Sequence, residues 1–196
     1  MKPRLTEIAQ QRVGDVLTPG HFAIDATAGN GHDTVFLSRS VAADGRVFAF
    51  DVQTAAIAAT QSRLAESGLR NVTLVQKSHA ELESTLPPET VGRVAAVMFN
   101  LGYLPGGDHS VMTETPSTLA AIDAALRVLR SGGVLTIIAY PGHAGGDTET
   151  TAVGRHLAGL ASDAYAVEQV TGQSGRNASP ILFVVTRQPR SASDDT

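Results

Sequence analysis

Residues 22–34 read FAIDATAGNGHDT. A short apolar run ends in an acid, Asp25, and two glycines, Gly29 and Gly31, follow closely. This is the pattern of a buried strand entering a tight turn and then a helix. Glycine accepts positive φ and lets the backbone approach a ligand with no Cβ in the way. The alternative is a plain strand-to-helix turn that binds nothing. A dinucleotide-binding turn places G-x-G-x-x-G directly after its strand. Here Thr34 occupies the third glycine position, and Asp25 stands ahead of the glycines.

Outward from this turn, helix and strand patterns alternate along the chain. Leu5, Ile8, Val13 and Val16 predict an amphipathic helix over 5–18, closed by Pro19-Gly20. A helix is predicted over 35–42, then a turn at Asp44-Gly45 and a strand over 46–51. The Ala-rich stretch 54–67 predicts a helix with Gly68 as its C-cap. Strands follow at 71–76 and 93–100. Thr115-Pro116 reads as an N-cap with Pro at the first helical position. Leu119, Ile122, Leu126 and Leu129 continue that helix, and Ser131-Gly132-Gly133 is read as its stop. A strand at 134–140, a helix near 148–162 and strands at 164–171 and 181–187 complete the pattern. One domain is expected over 1–190, with 191–196 as a frayed polar tail.

Strands alternating with helices, several of them apolar throughout, predict an α/β fold with a mostly parallel sheet covered on both faces. Ligands of such sheets sit beyond the carboxyl ends of the strands, where the strand order switches. The unusual clusters fall at those ends: Asp25 to Thr34, Asp51 to Gln53, Ser78-His79, Asn100 to His109, and Tyr140 to Gly146.

The composition narrows the class. With 42% apolar and 17% charged residues and a mean hydropathy of +0.02, the chain sits among soluble globular proteins. No apolar run approaches the roughly 18 residues of a spanning helix. The N-terminus MKPRLTEIAQQRVG carries no signal-type apolar core, so a cytoplasmic location is expected. The absence of Cys excludes disulfides, thiolate metal sites and cysteine nucleophiles. No HExxH motif or tight His cluster suggests a metal. A net charge of −4 weighs against non-specific coating of nucleic acid. It leaves room for a local arginine patch drawn from Arg39, Arg155, Arg176 and Arg187.

The acids and amides point to chemistry. A carboxylate at the tip of the first strand attracts an ammonium group and repels a pyrophosphate. S-adenosylmethionine carries an ammonium and a sulfonium and no phosphate. Asp51, twenty residues past Gly31, is placed to accept both ribose hydroxyls, a role that dinucleotide sites share. Ser78-His79 lies either beside an adenine or on an exposed loop. Asn100 either accepts a hydrogen bond from an amine about to be methylated or only starts a turn. Gly142-His143 either faces the same pocket or lies on the surface.

With DATAGNGHDT, FDVQ, KSHAEL, MFNLGYLPGGDHS, AYPGHAGGDTE and RNASPILFVV, the chain resembles the class I S-adenosylmethionine-dependent methyltransferases. More narrowly, it is similar to a bacterial family long catalogued as rRNA methylases. That family is now understood as tRNA 5-aminomethyl-uridine methyltransferases, including the 2-thio form, acting at the wobble position. The resemblance implies a Rossmann-like sheet of seven strands with the last antiparallel. It implies that Asp25, Gly29, Asn30 and Gly31 form the methionine-binding turn, with Asp51 and Gln53 at the ribose–adenine end. Thr27, His32, Asp33 and Thr34 complete the cofactor set on the first turn, and Ser78, His79, Asn100 and Gly102 complete it elsewhere. Asn100 to Asp108 takes the place of the (Asn/Asp)-Pro-Pro-Tyr motif.

Three departures stand out: Thr27 where the class carries glycine, no double proline after Asn100, and His109 where a Lys is expected in relatives. The implied catalytic residues are Asn100, Tyr103, Asp108 and His143. Asn100 would orient the nitrogen, Tyr103 would flank the base, and Asp108, His109 or His143 would take a proton. The implied partners are the tRNA anticodon loop and a second copy of the chain, with no membrane.

Rival readings are a methyltransferase of rRNA, a protein amine or a small molecule, an NAD-dependent oxidoreductase, and a non-catalytic RNA-binding module. Asp25, the missing third glycine and the lack of a Tyr-x-x-x-Lys pair count against the oxidoreductase. In a thermal-shift screen, S-adenosylhomocysteine is expected to raise the melting temperature and NAD to leave it unchanged; stabilisation by NAD alone would reverse the choice.

Overall fold

Parallel strands need long crossovers, and the sequence supplies a helix for most of them. The computed structural model describes residues 3–102, 104, 106, 112–142, 145–172 and 179–189. Its strands are β1 (Phe22–Asp25), β2 (Arg46–Phe50), β3 (Val72–Val75), β4 (Val94–Asn100), β5 (Leu129–Ala139), β6 (Tyr165–Thr171) and β7 (Ile181–Arg187). They form one sheet in the order β3-β2-β1-β4-β5-β7-β6. Neighbours from β3 through β5 pair in parallel, and β7 runs antiparallel to both β5 and β6. The seven-stranded Rossmann-like sheet with its last strand reversed is therefore as expected.

The helices are α1 (Leu5–Gly14), α2 (His32–Val41), α3 (Thr54–Glu66), α4 (Leu82–Thr85), α5 (Thr115–Val128) and α6 (Gly146–Ala158). Side chains alternate across each strand, so the central strands feed two cores. Ile24, Phe50, Val97 and Phe99 pack with Ile122 of α5 and Leu157 of α6. Ala23, Val47 and Met98 pack on the other face with Val13 of α1 and Leu37 of α2. Burial on both faces explains why β1 and β4 read as unbroken apolar runs.

The structure corrects three boundaries that bear on the site. Helix α1 stops at Gly14, short of the predicted 18. Helix α2 begins at His32, directly after Gly31, so His32, Asp33 and Thr34 form its first turn and do not precede it. The third correction concerns Ser131-Gly132-Gly133. Helix α5 ends at Val128, and Leu129 opens β5 in an extended conformation (φ −64°, ψ 133°). The Ser-Gly-Gly stretch lies within β5 as a bulge: Val94 pairs with Leu129 and Ala96 with Val134. Two steps along β4 thus face five along β5. The short helical turns at His79–Glu81, α4 and Pro88–Thr90 carried no clear sequence pattern.

The bulge explains the glycine pair. Gly132 has φ +71°, and a Cβ on Gly133 would lie 2.8 Å from Leu129 Cγ and 2.9 Å from the Arg130 carbonyl oxygen. Gly133→Ala is expected to lower stability by about 1–3 kcal/mol through this overpacking. Urea unfolding measures it, and an unchanged midpoint would show that the bulge can yield.

Candidate active site

The sheet order reverses between β1 and β4: the chain continues from β1 to β2 on one side and from β4 to β5 on the other. A crevice opens where such neighbours diverge. The two strand tips are joined by a hydrogen bond from the Asn100 N–H to Thr27 Oγ1 at 2.7 Å. The Ala26 N–H donates to the Met98 carbonyl at 2.9 Å. Thr27, the departure from glycine, therefore uses a hydroxyl that glycine lacks. Over this junction lies a cavity of about 850 Å³.

The glycine turn is held by three side chains, Asp51 after β2 and Thr60 and Arg63 of α3. The Gly29 N–H donates to Asp51 Oδ2 at 2.9 Å, and the Gln53 N–H donates to Asp51 Oδ1 at 2.9 Å. Thr60 Oγ1 of α3 donates to the Gly29 carbonyl at 3.1 Å, and Arg63 Nε donates to the Asn30 carbonyl at 2.6 Å. Gly31 closes the turn at φ +78°, and a Cβ there would lie 3.0 Å from Thr60 Cα. A side chain would therefore meet both an unfavourable dihedral and the α3 backbone.

The structure divides the two carboxylates of this segment. Asp25 is fully buried and does not line the cavity. Its Oδ2 accepts from Thr34 Oγ1 at 2.6 Å and its Oδ1 from the Thr27 N–H at 3.2 Å. The expectation that Asp25 meets a ligand's ammonium directly is therefore corrected: it braces the turn from beneath. Gly31 and Thr34 likewise stand behind the cavity wall, whereas Thr27, Gly29, Asn30 and His32 line it. The carboxylate that faces the cavity is Asp33. Burial, and then the charge of Asp33, push the Asp25 carboxyl up to about 7.

Asp33 gathers two amides. Gln10 Nε2 of α1 donates to Asp33 Oδ1 at 2.7 Å, and Asn100 Nδ2 donates to Asp33 Oδ2 at 2.6 Å. A carboxylate only accepts, so the Asn100 NH₂ is committed to Asp33 and its Oδ1 remains an acceptor. Asn100 and Gly102 both line the cavity. Gly102 is fixed by a reciprocal pair: its N–H donates to Thr113 Oγ1 at 2.9 Å, and its carbonyl accepts from the Thr113 N–H at 2.9 Å. The buried Glu149 of α6 then accepts from Thr113 Oγ1 at 2.8 Å and Thr118 Oγ1 at 2.7 Å. Both ends of the segment between β4 and α5 are thereby anchored.

Asp51, Gln53, Ser78 and His79 form the far wall. His79 corrects the exposed-loop reading: it is only 8% exposed and packs edge-on against Phe99, with ring centroids 5.8 Å apart. Burial lowers its pKa, which favours the neutral ring. Its Nε2 is buried without a hydrogen-bond partner. Tyr140 and Gly142 close the opposite side, and burial and the negative charge of Asp33 raise the Tyr140 pKa. Tyr103, Asp108, His109, His143 and Arg176 lie outside the described residues.

Sequence reasoning missed the contribution of α1. Arg4, Thr6 and Gln10 line the cavity, and Thr6 and Gln10 are one helical turn apart beside the buried Leu5-Ala9-Val13 stripe. That polar pair was the only trace of it. The arginine patch is also corrected. Arg39 is on α2 and Arg155 on α6, helices that pack on opposite faces of the sheet, while Arg187 donates to the Leu129 carbonyl.

Comparison with known proteins agrees with this geometry. Residues 47–186 match the family described as "Putative rRNA methylase". The chain belongs to this family. A family structure from Clostridium thermocellum is 35% identical, with a TM-score of 0.88 over 95% of this chain and 98% of that one. The Streptococcus mutans protein SMU.1697c, solved in complex with SAH, is 34% identical, with a TM-score of 0.85 over 95% of this chain and 99% of its own. An Arabidopsis thaliana "tRNA (mnm(5)s(2)U34)-methyltransferase, chloroplastic" is 38% identical over 168 residues. That match takes in 81% of this chain and 61% of the plant protein, so the chain spans about three fifths of this relative's length. The family is one of S-adenosylmethionine-dependent methyltransferases with the Rossmann-like fold. Among the described residues, no helix is long and apolar enough to cross a membrane.

The cavity's donor set fits S-adenosylmethionine. The Asp51 carboxylate at the β2 tip and the cavity-facing Asp33 offer acceptors to ribose hydroxyls and an ammonium, and these two acids flank the glycine turn where a dinucleotide's pyrophosphate would have to lie. The raised Asp25 pKa has a consequence for stability. Between about 4 and about 7 the folded chain holds a proton that the unfolded chain has lost, so this group's contribution falls as pH rises through that window. Asp25→Asn is expected to flatten the fall, read from melting temperature against pH; an equal slope in both proteins would show that Asp25 ionises normally.

Proposed function

We propose that this methyltransferase acts on tRNA, moving a methyl group from S-adenosylmethionine to the amine of 5-aminomethyl-uridine, or its 2-thio form, at the wobble position. The observation that carries the reading is the Asn100 amide. Its NH₂ is committed to Asp33 at 2.6 Å, which leaves Oδ1 as an acceptor on the cavity wall. A primary amine needs an acceptor for its N–H while its lone pair attacks. The 38% identity with the plant tRNA methyltransferase supports the same substrate class.

The cofactor, when bound, supplies an electrophilic methyl group. Asp51 and Gln53 would hold its ribose–adenine end, with His79 and Ser78 beside them. The Gly29–Asn30 backbone and Asp33 would hold its amino-acid end. Asn100 Oδ1 accepts an N–H of the substrate amine and so aims the nitrogen. Positioning of this kind is the main help available to an in-line displacement.

The alkylamine must first lose a proton. We assign that role to Asp108 or His143 on the segments after β4 and β5, a base within reach being worth ~10²–10⁴-fold. Desolvation in the cavity lowers the amine's own pKa in the same direction. Tyr103 and Tyr140 would flank the extruded base, since loop bases are commonly read by stacking and edge contacts.

An rRNA acceptor is the second reading. It rests on the family description and on a ribosomal RNA small subunit methyltransferase H from Desulfotalea psychrophila, 37% identical over 87 residues and matched over 29% of its length. Mass spectrometry of wobble-uridine nucleosides from a deletion strain decides between them. Accumulation of the unmethylated aminomethyl form is expected, and an unchanged profile would redirect the search to rRNA. In vitro, Asn100→Ala is expected to cut turnover by about 100-fold or more. Calorimetry should still detect cofactor binding; near-normal turnover would remove Asn100 from the reaction.

A further inference from the structure

Helix α1 precedes the first strand and belongs to none of the motifs that carry the cofactor chemistry, yet it reaches the cavity through Gln10. Leu5, Ala9 and Val13 seat α1 in the core on the sheet face shared with α2. This leaves Gln10, half-buried, at the rim of the β1–β4 crevice. There Gln10 Nε2 donates to Asp33 Oδ1 at 2.7 Å, while Asn100 Nδ2 donates to Asp33 Oδ2 at 2.6 Å. Three elements far apart in sequence thus form one amide–carboxylate–amide chain that ends on the candidate catalytic residue.

We propose that Gln10 is a positioning residue: by fixing the plane of the Asp33 carboxylate it sets the direction in which the Asn100 amide presents Oδ1 to the reacting amine. An Asp side chain has a broad, roughly two-fold preference at χ2. With only one oxygen engaged, the Asp33 carboxylate could turn, and the Asn100 amide would follow it. With both oxygens engaged by donors on opposite sides, its plane is set. The Asn100 NH₂ is then held by Asp33, and Oδ1 is presented to the cavity. Turning that amide with the carboxylate would carry Oδ1 away from the substrate nitrogen it is to aim. The catalytic meaning of this orientation rests on the amine substrate proposed above; the orientation itself does not.

The test uses the full chain labelled with nitrogen-15. The Asn100 side-chain NH₂ resonances, assigned by their loss in Asn100→Ala, are expected downfield and slow to exchange in the wild type. In Gln10→Ala they are expected to shift and to exchange faster. Gln10→Met, which keeps the side-chain length without the donor, should give the same change if the alanine variant folds poorly. Affinity for S-adenosylhomocysteine by calorimetry is expected to fall by clearly less than kcat, since the Gly29–Asn30 backbone and Asp51 still hold the cofactor when Asp33 turns. On tRNA bearing aminomethyl-uridine, both variants are expected to lose about 10- to 100-fold in kcat with KM for tRNA unchanged. In the Asn100→Ala background the same substitution is expected to add no further loss, since the two act as one unit.

Unchanged Asn100 amide resonances would overturn the proposal, as would additive losses or a fall in S-adenosylhomocysteine affinity that matches the fall in kcat. A wild-type protein inactive on that tRNA would overturn the substrate reading instead, and the amide resonances would still decide the role of Gln10.

Discussion

The hydrogen bond from the Asn100 N–H to Thr27 Oγ1 sits where the sheet changes direction, and the site is organised around it. Beyond the tips of β1 and β4 the ladder ends, and backbone groups there need partners that the sheet no longer provides. A glycine at position 27 could offer only its backbone. The threonine hydroxyl ties the turn after β1 to the end of β4, bringing Asn100 and Asp33 within hydrogen-bond distance across 67 residues of sequence. The end of β4 and the turn after β1 are thus held in one register.

Around that junction the acids have separate tasks set by burial. Asp25 faces inward and its oxygens are engaged by Thr27 and Thr34, so it shapes the turn. Asp33, nearly buried on the first turn of α2, meets the cavity and is engaged by two amides. Asp51 at the tip of β2 receives two backbone N–H groups and remains at the cavity wall. Each carboxylate oxygen can accept more than one hydrogen bond, so these internal contacts leave capacity for a ligand. On the other side, Glu149 does comparable work for Thr113 and Thr118 and anchors the segment that carries the proposed substrate contacts.

The fold was largely legible in the sequence, because burial on both faces forces the central strands to be apolar throughout and each crossover helix to show its own stripe. The misreadings have local causes. Ser131-Gly132-Gly133 looks like a helix stop, since the same residues that end helices also make bulges; only pairing with β4 distinguishes the two. For His79 the sequence left two readings open, because nothing near it in the chain reveals that Phe99 covers it. Gln10 drew no reading at all, because its partner is on another helix.

By itself the sequence determined the alternation of strands and helices, the glycine turn at Gly29 and Gly31, and the polar clusters at the strand ends. These follow from local rules: residue period, dihedral freedom and the cost of burying polar groups. The tertiary structure alone decided which acid faces the cavity, which end of the Asn100 amide is free, and that α1 takes part. Those outcomes depend on contacts between elements distant in the chain. Asp25 and Asp33 carry the same side chain, and only the sheet beneath one and the cavity before the other give them different roles.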